Sequence, residues 1–579
     1  MPLPDWETLS LPQKVAQMVV VRASGHLFEH QIEYPDWEPP AATLQHWLQD
    51  LGVGGVILLG GTAAEIGLRS QQLQGWAAIP LLISADIEEG VGQRFAGATR
   101  FPPPMALSAV ARQDSGQARS SRYPQGVAHA EKMGEIIAQE AIAIGLNWLL
   151  APVVDVNNNP ENPVINVRAW GETAEEVCQL TTAFIRGAQR YPVLTTAKHF
   201  PGHGDTAIDS HLDLPVILHD KARLAAVEFK PFIEAIATQV DAIMTAHLQI
   251  PALDADYPAT LSHTILTGTL RESLGFTGLI VTDALIMGAI TSRYGDNEVP
   301  VMAVEAGADI VLMPVDPEGA IQAICDAVEI GRIPLEQIHA SLERIWLAKH
   351  KVISVPITGD GSHAWEQTQP DPVQMEKLAQ PEAIATATAI LRASMQVHRP
   401  IPSRLSARAV TQPCCNLILL DDALNCDFLA RSAPAIARPR KLGYRLQVID
   451  SHTPKIALDP DKIIFERELH PETADWQPTL MQLFIRSNPF RDSSGLTQVA
   501  LDWLKFLVQT EQIQALVLYG TPYVLEQFVS LLPVEVPYVF TYGQMELAQA
   551  IALNALFEWA IDPVEQEQSS SREPSAFTD

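Results

Sequence analysis

Short runs of apolar, mostly β-branched or leucine residues alternate with longer helical stretches between Leu9 and Ile353. Most of these runs are continuously apolar, which is typical of strands covered on both faces. Repeated strand–helix units predict a parallel sheet, and a closed (β/α)8 barrel fits better than a sheet with one exposed face. The eight candidate strands are MVVVR (18–22), GVILLG (55–60), LLISAD (81–86), NWLLAPVVD (147–155), VLTTAKH (193–199), AIMTAH (242–247), LIVTD (279–283) and DIVLMP (309–314).

Ionisable residues follow or end the apolar run in five of these candidate strands. In a (β/α)8 barrel the carboxyl ends of all strands open onto one face, where the βα loops build the active site. Because a strand often ends in something polar, a single case would mean little, but five ionisable ends predict a site at that face. The residues are Asp86, Asp155, Lys198 with His199, His247 and Asp283.

A second domain is indicated beyond the barrel, which we assign to residues 1–353. Residues 354–413 are rich in Pro, Gly, Gln and Ser, with a helical island from Gln374 to Met395, and read as a linker. Residues 414–562 predict a smaller α/β domain of the doubly wound or sandwich type, and residues 563–579 a disordered tail. The candidate strands of this second domain are NLILL (416–420), YRLQVI (444–449), QLFIR (482–486), ALVLYG (515–520) and YVFTY (538–542).

The composition and charge of the chain limit the kinds of molecule that the protein is expected to bind. The 39 Lys and Arg residues against 68 Asp and Glu give a formal net charge of −29, with no basic cluster, so nucleic acid is excluded as an expected partner. We find no signal-peptide pattern, and the longest apolar stretch, 141–154, is too short and too interrupted to span a bilayer, so no membrane insertion and a cytosolic location are expected. The five cysteines are irregularly spaced and suggest neither a disulfide framework nor a CxxC metal site.

The densest group of chemically active residues is AKHFPGHGDTAIDSH, at 197–211. It holds three histidines, two aspartates and a lysine, and its proline and glycines impose an irregular loop directly after a barrel strand. Stability gives no reason to concentrate titratable groups in such a loop. The segment is therefore predicted to lie in an active site.

KHFPGHGDT followed by DSH resembles the signature of glycoside hydrolase family 3, in its β-N-acetylglucosaminidase branch. Three further segments resemble that family: DIEEGVGQR (86–94), NPVINVRAWG (162–171) and VTDALIM (281–287). The resemblance spans about the first 350 residues in order, and LYGTPYVL in the second domain is similar more loosely. It implies the (β/α)8 barrel followed by an α/β sandwich domain.

The resemblance also implies a retaining hydrolysis in two displacements, with no cofactor and no metal. Asp283 matches the family's nucleophile and would carry a covalent glycosyl intermediate. His211 matches a histidine that serves as acid and base, since an imidazole with a pKa near 6.5 can both donate and accept a proton. Asp209 would orient that imidazole through its other ring nitrogen.

The expected substrate is a carbohydrate ending in β-linked N-acetylglucosamine, derived from cell-wall muropeptides during peptidoglycan recycling. Residues that match the family's sugar-binding positions are Asp86, Arg94, Arg168, Lys198 and His199, with His247 as a further candidate. Glu89 departs from the family, which has glycine there, and its side chain would either alter specificity or point outward. The oligomeric state and the natural leaving group stay open.

Other functions compete with this interpretation. A metal-dependent hydrolase could use His199, His203, Asp205, Asp209 and His211, but Pro201 and Gly202 break the helix that an i, i+4 histidine pair needs. An inactive carbohydrate-binding protein would be marked by loss of Asp283 or His211, and both are present. A β-glucosidase of the family would lack DSH. A glycoside phosphorylase uses the same covalent intermediate and stays open.

Overall fold

The structure is a computed structural model that describes residues 3–32, 34–35, 37–115, 124–206, 214–353, 373–401, 414–453, 477–486 and 494–557. Asp209 and His211, residues 354–372 of the predicted linker and the predicted tail 563–579 lie outside the described residues. The chain divides into two compact units, residues 1–387 and 388–579. In the part of the chain that the structure describes, no helix has the length and apolar character needed to cross a membrane.

The first unit is a parallel barrel. Its strands follow the order β7-β6-β5-β4-β3-β2-β1-β8, and a parallel bridge between Val281 and Ile310 joins β7 to β8 and closes the ring. Every strand predicted for this unit is present, and the predicted (β/α)8 architecture is confirmed. Within the described residues the strands are β1 Val19–Ser24, β2 Gly55–Leu59, β3 Leu82–Ala85, β4 Trp148–Leu149, β5 Leu194–Phe200, β6 Ala242–Thr245, β7 Leu279–Val281 and β8 Val311–Leu312.

Helices separate the strands of the barrel. Several begin at capping residues; for example, Thr62 Oγ1 accepts the Glu65 amide while the Glu65 carboxylate accepts the Thr62 amide. Between β6 and β7 the connection is a π-helical segment, Thr264–Ser273. Among the described residues the α-helices are α1 Leu11–Ala16, α2 Ala41–His46, α3 Ala63–Trp76, α4 Met105–Ser115, α5 Pro124–Ala143, α6 Ala174–Ala188, α7 Lys221–Ala226, α8 Phe229–Ala237, α9 Gly288–Tyr294, α10 Glu298–Ala306, α11 Pro317–Glu329 and α12 Leu335–Val352.

The strands of the barrel are buried on both faces, as their continuous apolar runs predict. Every residue of β3, β4, β5, β6 and β7 is buried. A polar atom within this core has its own partner, since the Trp148 indole on β4 donates to the Thr196 hydroxyl on β5 at 2.7 Å. Because all strands run parallel, their carboxyl ends meet at one face, and this packing fixes the positions of the residues there.

The second unit contains a mixed sheet with the order β11-β10-β12-β13-β14-β9. Strands β10 to β14 are parallel, and β9 pairs antiparallel with β14. The five predicted strands are confirmed, as is a smaller α/β domain. In the described residues its strands are β9 Gln396–His398, β10 Cys414–Leu419, β11 Tyr444–Ile449, β12 Thr479–Ile485, β13 Ile513–Gly520 and β14 Tyr538–Thr541, and its helices are α14 Pro434–Lys441, α15 Ser494–Gln509, α16 Leu525–Val529 and α17 Glu546–Phe557.

The described part of the predicted linker contains a short 3-10 helix at Met375–Lys377, an α-helix and a strand. Helix α13 runs over Pro381–Ser394, later than the predicted start at Gln374, because proline is suited to a first helical turn and Ala379 just before it has a positive φ of 45°. Strand β9 follows α13 and was not predicted. Its three residues are too few to give a strand signal in the sequence, and pairing with β14 makes them a strand.

A fully buried lysine lies on the barrel side of α12. The ammonium group of Lys349 donates to Gln17 Oε1 at 2.7 Å and to the Pro80 carbonyl at 2.7 Å, and it lies 5.8 Å from the centre of the Trp346 ring. Both hydrogen-bond acceptors are neutral. Burial lowers the pKa of Lys349 from 10.5 to about 7.

This lysine makes the stability of the barrel depend on pH. Between pH 7 and 10.5 Lys349 is protonated in the unfolded chain and neutral in the fold, so the free energy of unfolding increases with pH. We expect the wild type to gain stability relative to Lys349→Met by on the order of 1 kcal/mol per pH unit between pH 7 and 9. Urea unfolding at both pH values measures this, with Lys351→Met as the charge-loss control. A wild-type advantage that does not change with pH would contradict the prediction.

Candidate active site

Two basic and two acidic side chains meet at the carboxyl end of β3 and β5. Lys198 Nζ lies 2.7 Å from Asp86 Oδ1 and 2.7 Å from Glu88 Oε1. Arg168 donates to both oxygens of Glu88, at 2.9 Å from Nε and 2.8 Å from the terminal nitrogen. The two donor nitrogens of the Arg168 guanidinium match the two oxygens of the planar Glu88 carboxylate. Glu88 and the two cations therefore hold one another in a fixed arrangement.

The buried members of this cluster, Glu88, Lys198 and Arg168, are charged at neutral pH. Burial opposes the ionisation of Glu88, but Arg168 and Lys198 outweigh it and hold the pKa of Glu88 well below its usual value. Burial likewise opposes the charge of Lys198, and Asp86 and Glu88 outweigh it and raise its pKa. The cluster therefore presents fixed charges and hydrogen-bonding groups, which are suited to binding hydroxyl groups of a ligand.

Arg94 lies at the rim of the same cluster. Its Nε donates to the Asp86 carbonyl at 3.2 Å, and its terminal nitrogen lies 3.8 Å from Asp86 Oδ2. The side chain of Arg94 is 43% exposed and that of Asp86 27%, whereas Lys198 is 2% exposed. Asp86 and Arg94 are thus the members that a ligand entering from solvent can reach directly.

A second cluster surrounds Asp155, which follows β4 and is buried. His199 Nδ1 donates to Asp155 Oδ2 at 2.8 Å, and the backbone amide of His203 donates to Asp155 Oδ1 at 2.7 Å. Although burial opposes its ionisation, His199 and these hydrogen bonds hold the pKa of Asp155 below its usual value. Since Nδ1 of His199 is engaged by Asp155, Nε2 is the ring nitrogen available to a ligand.

Glycines let the loop after β5 turn tightly against its neighbours. A side chain at Gly204 would place its first carbon 1.8 Å from the Val156 carbonyl oxygen, and Gly202 has a φ of 127°. The Asn162 amide then donates to the carbonyls of His203 and Gly204, at 2.9 and 3.0 Å. The sequence segment around Asn162 therefore supports the histidine-rich loop.

Asp283 lies just beyond β7, and its Oδ1 accepts the Ala284 amide at 2.7 Å. It is half-buried. Nearby, His203 is fully buried, and burial lowers its pKa to about 4 against the opposing effects of Asp155 and Asp283. His203 is therefore neutral at pH 7. A neutral imidazole therefore lies within electrostatic range of the Asp283 carboxylate.

His247 has protein partners at both ring nitrogens. Its Nε2 donates to the Ala284 carbonyl at 3.1 Å, and its Nδ1 lies 2.8 Å from the Thr260 hydroxyl. The residue is 1% exposed. This geometry suits a residue that fixes the chain next to Asp283 rather than one that contacts a ligand.

Five of the predicted site residues lie together in the structure: Asp86, Arg94, Arg168, Lys198 and His199. The predicted residues Asp209 and His211 lie outside the described residues. Two partners were missed by sequence reasoning. Glu88 stands in the quoted DIEEGVGQR segment, and Asp155 was noted only as a strand end. In both cases the signal was a carboxylate at the carboxyl end of a strand.

Glu89 points into the protein. It is 1% exposed, and its carboxylate lies 3.9 Å from Arg100 Nε. We expected the Glu89 side chain either to alter specificity or to point outward. Its burial excludes the outward-pointing alternative. Glu88 and Glu89 therefore form a matched pair, adjacent in sequence and both buried, of which Glu88 touches the predicted sugar-binding cations.

Glu88→Gln should weaken this site strongly. The substitution keeps the shape but removes the charge that compensates two buried cations, and breaking a buried pair of this kind costs about 3 kcal/mol. We expect a lower melting temperature and a kcat/KM on an aryl N-acetyl-β-glucosaminide reduced by roughly a hundredfold. Glu89→Gln is the control and should lose much less. Equal losses in the two variants would show that Glu88 has no special role.

No group of three or more His, Cys, Asp or Glu side chains that could hold a metal ion occurs among the described residues. His199 and His203, which the metal hypothesis would join, have ring centres 6.0 Å apart and separate partners at Nδ1, Asp155 and Thr206. Asp209 and His211 belong to that hypothesis too and lie outside the described residues.

Comparison with known families gives matches along most of the chain. Residues 10–348 match the model of the glycosyl hydrolase family 3 N-terminal domain, and residues 408–558 match that of the bacterial glycosyl hydrolase family 3 C-terminal domain. The two matches follow the order of the two units of the structure.

Individual proteins are similar as well. A β-hexosaminidase A of Pseudoalteromonas piscicida is 34% identical over 380 residues, which cover 59% of this chain and 62% of that protein's length. The solved structure of a glycoside hydrolase family 3 β-N-acetylglucosaminidase from Paenibacillus sp. str. FPU-7 has 28% identity and a TM-score of 0.72 over 96% of this chain and 98% of its own. A β-glucoside phosphorylase, at 21% identity, shares the fold with a TM-score of 0.74 over 96% of this chain and 93% of its own.

Proposed function

Because the chain belongs to glycosyl hydrolase family 3, we propose that it is an exo-acting enzyme that hydrolyses terminal β-linked N-acetylglucosamine. One observation carries the proposal. The Asp86, Glu88, Arg168 and Lys198 cluster opens on the same barrel face as the carboxylate of Asp283, so groups suited to sugar hydroxyls and a nucleophile share one site. The matched region covers 62% of the length of the P. piscicida relative.

The proposed reaction has two displacements. The Asp283 carboxylate attacks the anomeric carbon and forms a glycosyl ester, while the protonated imidazole of His211 gives its proton to the departing oxygen, so that the leaving group is released as an alcohol. The neutral imidazole then takes a proton from water. That water attacks the anomeric carbon, frees Asp283 and restores the imidazolium, and two inversions leave the β configuration retained.

Asp209 and the binding residues would support these steps. Asp209 would accept a hydrogen bond from the other nitrogen of the His211 ring, which fixes its orientation and stabilises the imidazolium. The residues that would bind hydroxyl groups of the terminal sugar are Asp86, Arg94, Arg168, Lys198 and His199. Glu88 would hold Lys198 and Arg168 in place. His247 would hold the backbone next to Asp283.

Two features support the amino sugar, and its source is what the family resemblance implies. The DSH sequence at 209–211 resembles the β-N-acetylglucosaminidase branch, and the similar proteins include a β-hexosaminidase and a β-N-acetylglucosaminidase that aligns along nearly its whole length. We place the substrate among muropeptides released from the cell wall and recycled in the cytosol. A β-glucosidase or phosphorylase activity is the alternative within the same fold.

A panel of substrates tests the proposal. Aryl β-glycosides of N-acetylglucosamine and of glucose are compared, each with and without a chelator and with and without phosphate. We expect turnover of the N-acetylglucosamine substrate alone, unchanged by chelation, with free sugar as the product in phosphate. Faster turnover of the glucoside would indicate a β-glucosidase. A sugar 1-phosphate seen by phosphorus NMR would indicate a phosphorylase. Chelator inhibition reversed by zinc would indicate a metal-dependent hydrolase.

A further inference from the structure

A buried carboxylate that the proposed reaction does not use lies on α5. Glu140 is 2% exposed, and within the described part of the chain its carboxylate accepts three hydrogen bonds. Thr99 donates from its amide to Oε2 at 2.9 Å and from its hydroxyl to Oε1 at 2.6 Å, and the Ala379 amide donates to Oε1 at 2.8 Å. All three donors are neutral. The contacts of Glu140 therefore hold chain segments in place, whereas those of Glu88 compensate buried charges.

Thr99 belongs to the loop between β3 and α4, which also carries Glu88 and Arg94. The Thr99 carbonyl accepts the Gly92 amide at 2.8 Å, two residues before Arg94. The same carbonyl oxygen lies against Gly90, where a first side-chain carbon would be 2.5 Å from it. Thr99 thus fixes the stretch of chain between Glu88 and Arg94.

The two halves of this loop are joined at further points. Arg94 Nε donates to the Asp86 carbonyl at 3.2 Å, and the Phe101 amide donates to the Glu89 carbonyl at 2.7 Å. A shift of Thr99 would therefore be passed to the backbone that places Asp86 and Arg94, the two residues of the site that a ligand reaches directly.

The third donor to Glu140 comes from the described part of the predicted linker. Residues 373–380, which we call the strap, contact α5 within the first unit of the chain. The Gln374 amide donates to the Ala143 carbonyl at 2.8 Å, at the end of α5, and the Ala379 amide donates to Glu140. The strap therefore gives the Glu140 carboxylate a fixed anchor in addition to Thr99.

We propose that Glu140 is a positioning residue for sugar binding, which acts through Thr99 on the loop that carries Asp86 and Arg94. The inference rests on the proposed function, in which Asp86 and Arg94 bind hydroxyl groups of the terminal sugar. A displacement of about 1 Å in such groups lowers rates by up to a hundredfold. In Glu140→Gln an amide nitrogen replaces one acceptor oxygen, so at least one of the three donors loses its acceptor. Glu140 itself needs no contact with the substrate.

Asp254 offers a matched control. Like Glu140, it accepts hydrogen bonds from two backbone amides and one hydroxyl, which belong to Asp256, Tyr257 and Ser262, at 2.9, 3.1 and 2.5 Å. It is half-buried and lies in the segment after β6, outside the loop between β3 and α4. A loss of activity that comes only from unsatisfied donors should therefore appear in Asp254→Asn as well.

The test is a double-mutant cycle between Glu140→Gln and Asp86→Asn. The readouts are kcat/KM on an aryl N-acetyl-β-glucosaminide and competitive inhibition by free N-acetylglucosamine. We expect Glu140→Gln alone to lower kcat/KM roughly tenfold and to weaken the inhibition. In the Asp86→Asn background the further loss should shrink to about twofold, because a group that Glu140 positions is already missing. Asp254→Asn should stay within about twofold of the wild type.

A second pair of variants tests the same contact without changing Glu140, in case Glu140→Gln does not fold. Thr99→Val removes the hydroxyl that donates to Glu140 and nearly keeps the shape, whereas Thr99→Ser retains the hydroxyl. We expect Thr99→Val to lower kcat/KM by roughly threefold or more and Thr99→Ser to restore it. Melting curves check the fold of each variant.

Three results would overturn the inference. The first is the same loss from Glu140→Gln in the wild-type and Asp86→Asn backgrounds, which a purely structural role predicts. The second is an equal loss in Asp254→Asn, and the third is an equal loss in Thr99→Val and Thr99→Ser. Failure of the proposed function is a separate result, because it would appear in the wild type as turnover of the glucoside alone. The same cycle measured on that glucoside would then still decide the role of Glu140.

Discussion

Asp283→Asn is expected to give a folded protein whose turnover of an aryl N-acetyl-β-glucosaminide is lower by on the order of a thousandfold or more. The amide keeps the size of the carboxylate but cannot form a stable glycosyl ester, so the first displacement fails. Folding should be preserved, because the described contact of Asp283 Oδ1 with the Ala284 amide needs only an acceptor oxygen, which asparagine also supplies. Circular dichroism and a melting curve check the fold, and steady-state kinetics check the activity.

Asp256→Asn is the matched control for the nucleophile variant. Asp256 is an exposed carboxylate in the segment after β6 and has no role in the proposed mechanism, so the substitution removes the same charge from a residue outside that mechanism. It should leave the rate unchanged. A folded Asp283→Asn enzyme within tenfold of the wild type would refute the assignment.

Trapping the intermediate identifies the nucleophile directly. A 5-fluoro derivative of N-acetylglucosaminyl fluoride should form its ester faster than water releases it, so that an adduct accumulates. Peptide mapping by mass spectrometry is expected to find the label on Asp283. A label on any other carboxylate would move the nucleophile there.

The barrel could be predicted from sequence because its signal is local. Each strand is a continuous apolar run, and burial on both faces follows directly from that pattern, as in β5 and β6. The face that carries the site follows from the parallel arrangement alone. Elements with no local signal were not predicted, as β9 shows, since its three residues become a strand only through their partner β14.

The partners inside the site could not be predicted from sequence spacing. Arg168 meets Glu88 across 80 positions and Lys198 meets Asp86 across 112, and nothing in either local pattern selects these partners. The family resemblance identified Arg168, Lys198 and Asp86 as binding residues. It did not indicate which residues Glu88 would contact. The missing information is the tertiary packing that places the ends of β3 and β5 beside the NPVINVRAWG segment.

The pattern of apolar runs likewise did not predict the polar residues inside the sheet of the second unit. Asn416 on β10 and Gln482 on β12 are buried, and the Gln482 amide donates to Asn416 Oδ1 at 2.6 Å. The Tyr519 hydroxyl on β13 donates to Gln482 Oε1 at 2.9 Å. A buried polar network whose members bond to one another specifies one arrangement of the strands, and the neighbouring strands that supply the partners are not visible in the sequence of any one of them.

His211→Ala should affect substrates according to how poor their leaving group is. A sugar alkoxide is very basic and leaves only when protonated, so the variant should be almost inactive on a disaccharide of N-acetylglucosamine. An acidic phenol needs little help to leave. With that substrate the ester on Asp283 should still form quickly, while its hydrolysis becomes limiting because no base activates water.

With the substrate that carries the acidic phenol, we expect a rapid burst of released phenol followed by slow turnover. Azide is a nucleophile that needs no deprotonation, so it should speed the slow phase and give a β-glycosyl azide. Asp209→Ala should show the same pattern more weakly, since it orients and polarises the imidazole without transferring the proton. Stopped-flow absorbance measures the burst, and product analysis by NMR identifies the azide.

The leaving-group dependence is what separates proton transfer from other roles of His211. A histidine that binds substrate or supports the loop would lower the rate for every substrate by a similar factor, because its loss acts before any bond breaks. Uniform slowing without a burst and without an azide effect would therefore refute the acid and base assignment. In that case the proton would have to come from another group on the same face.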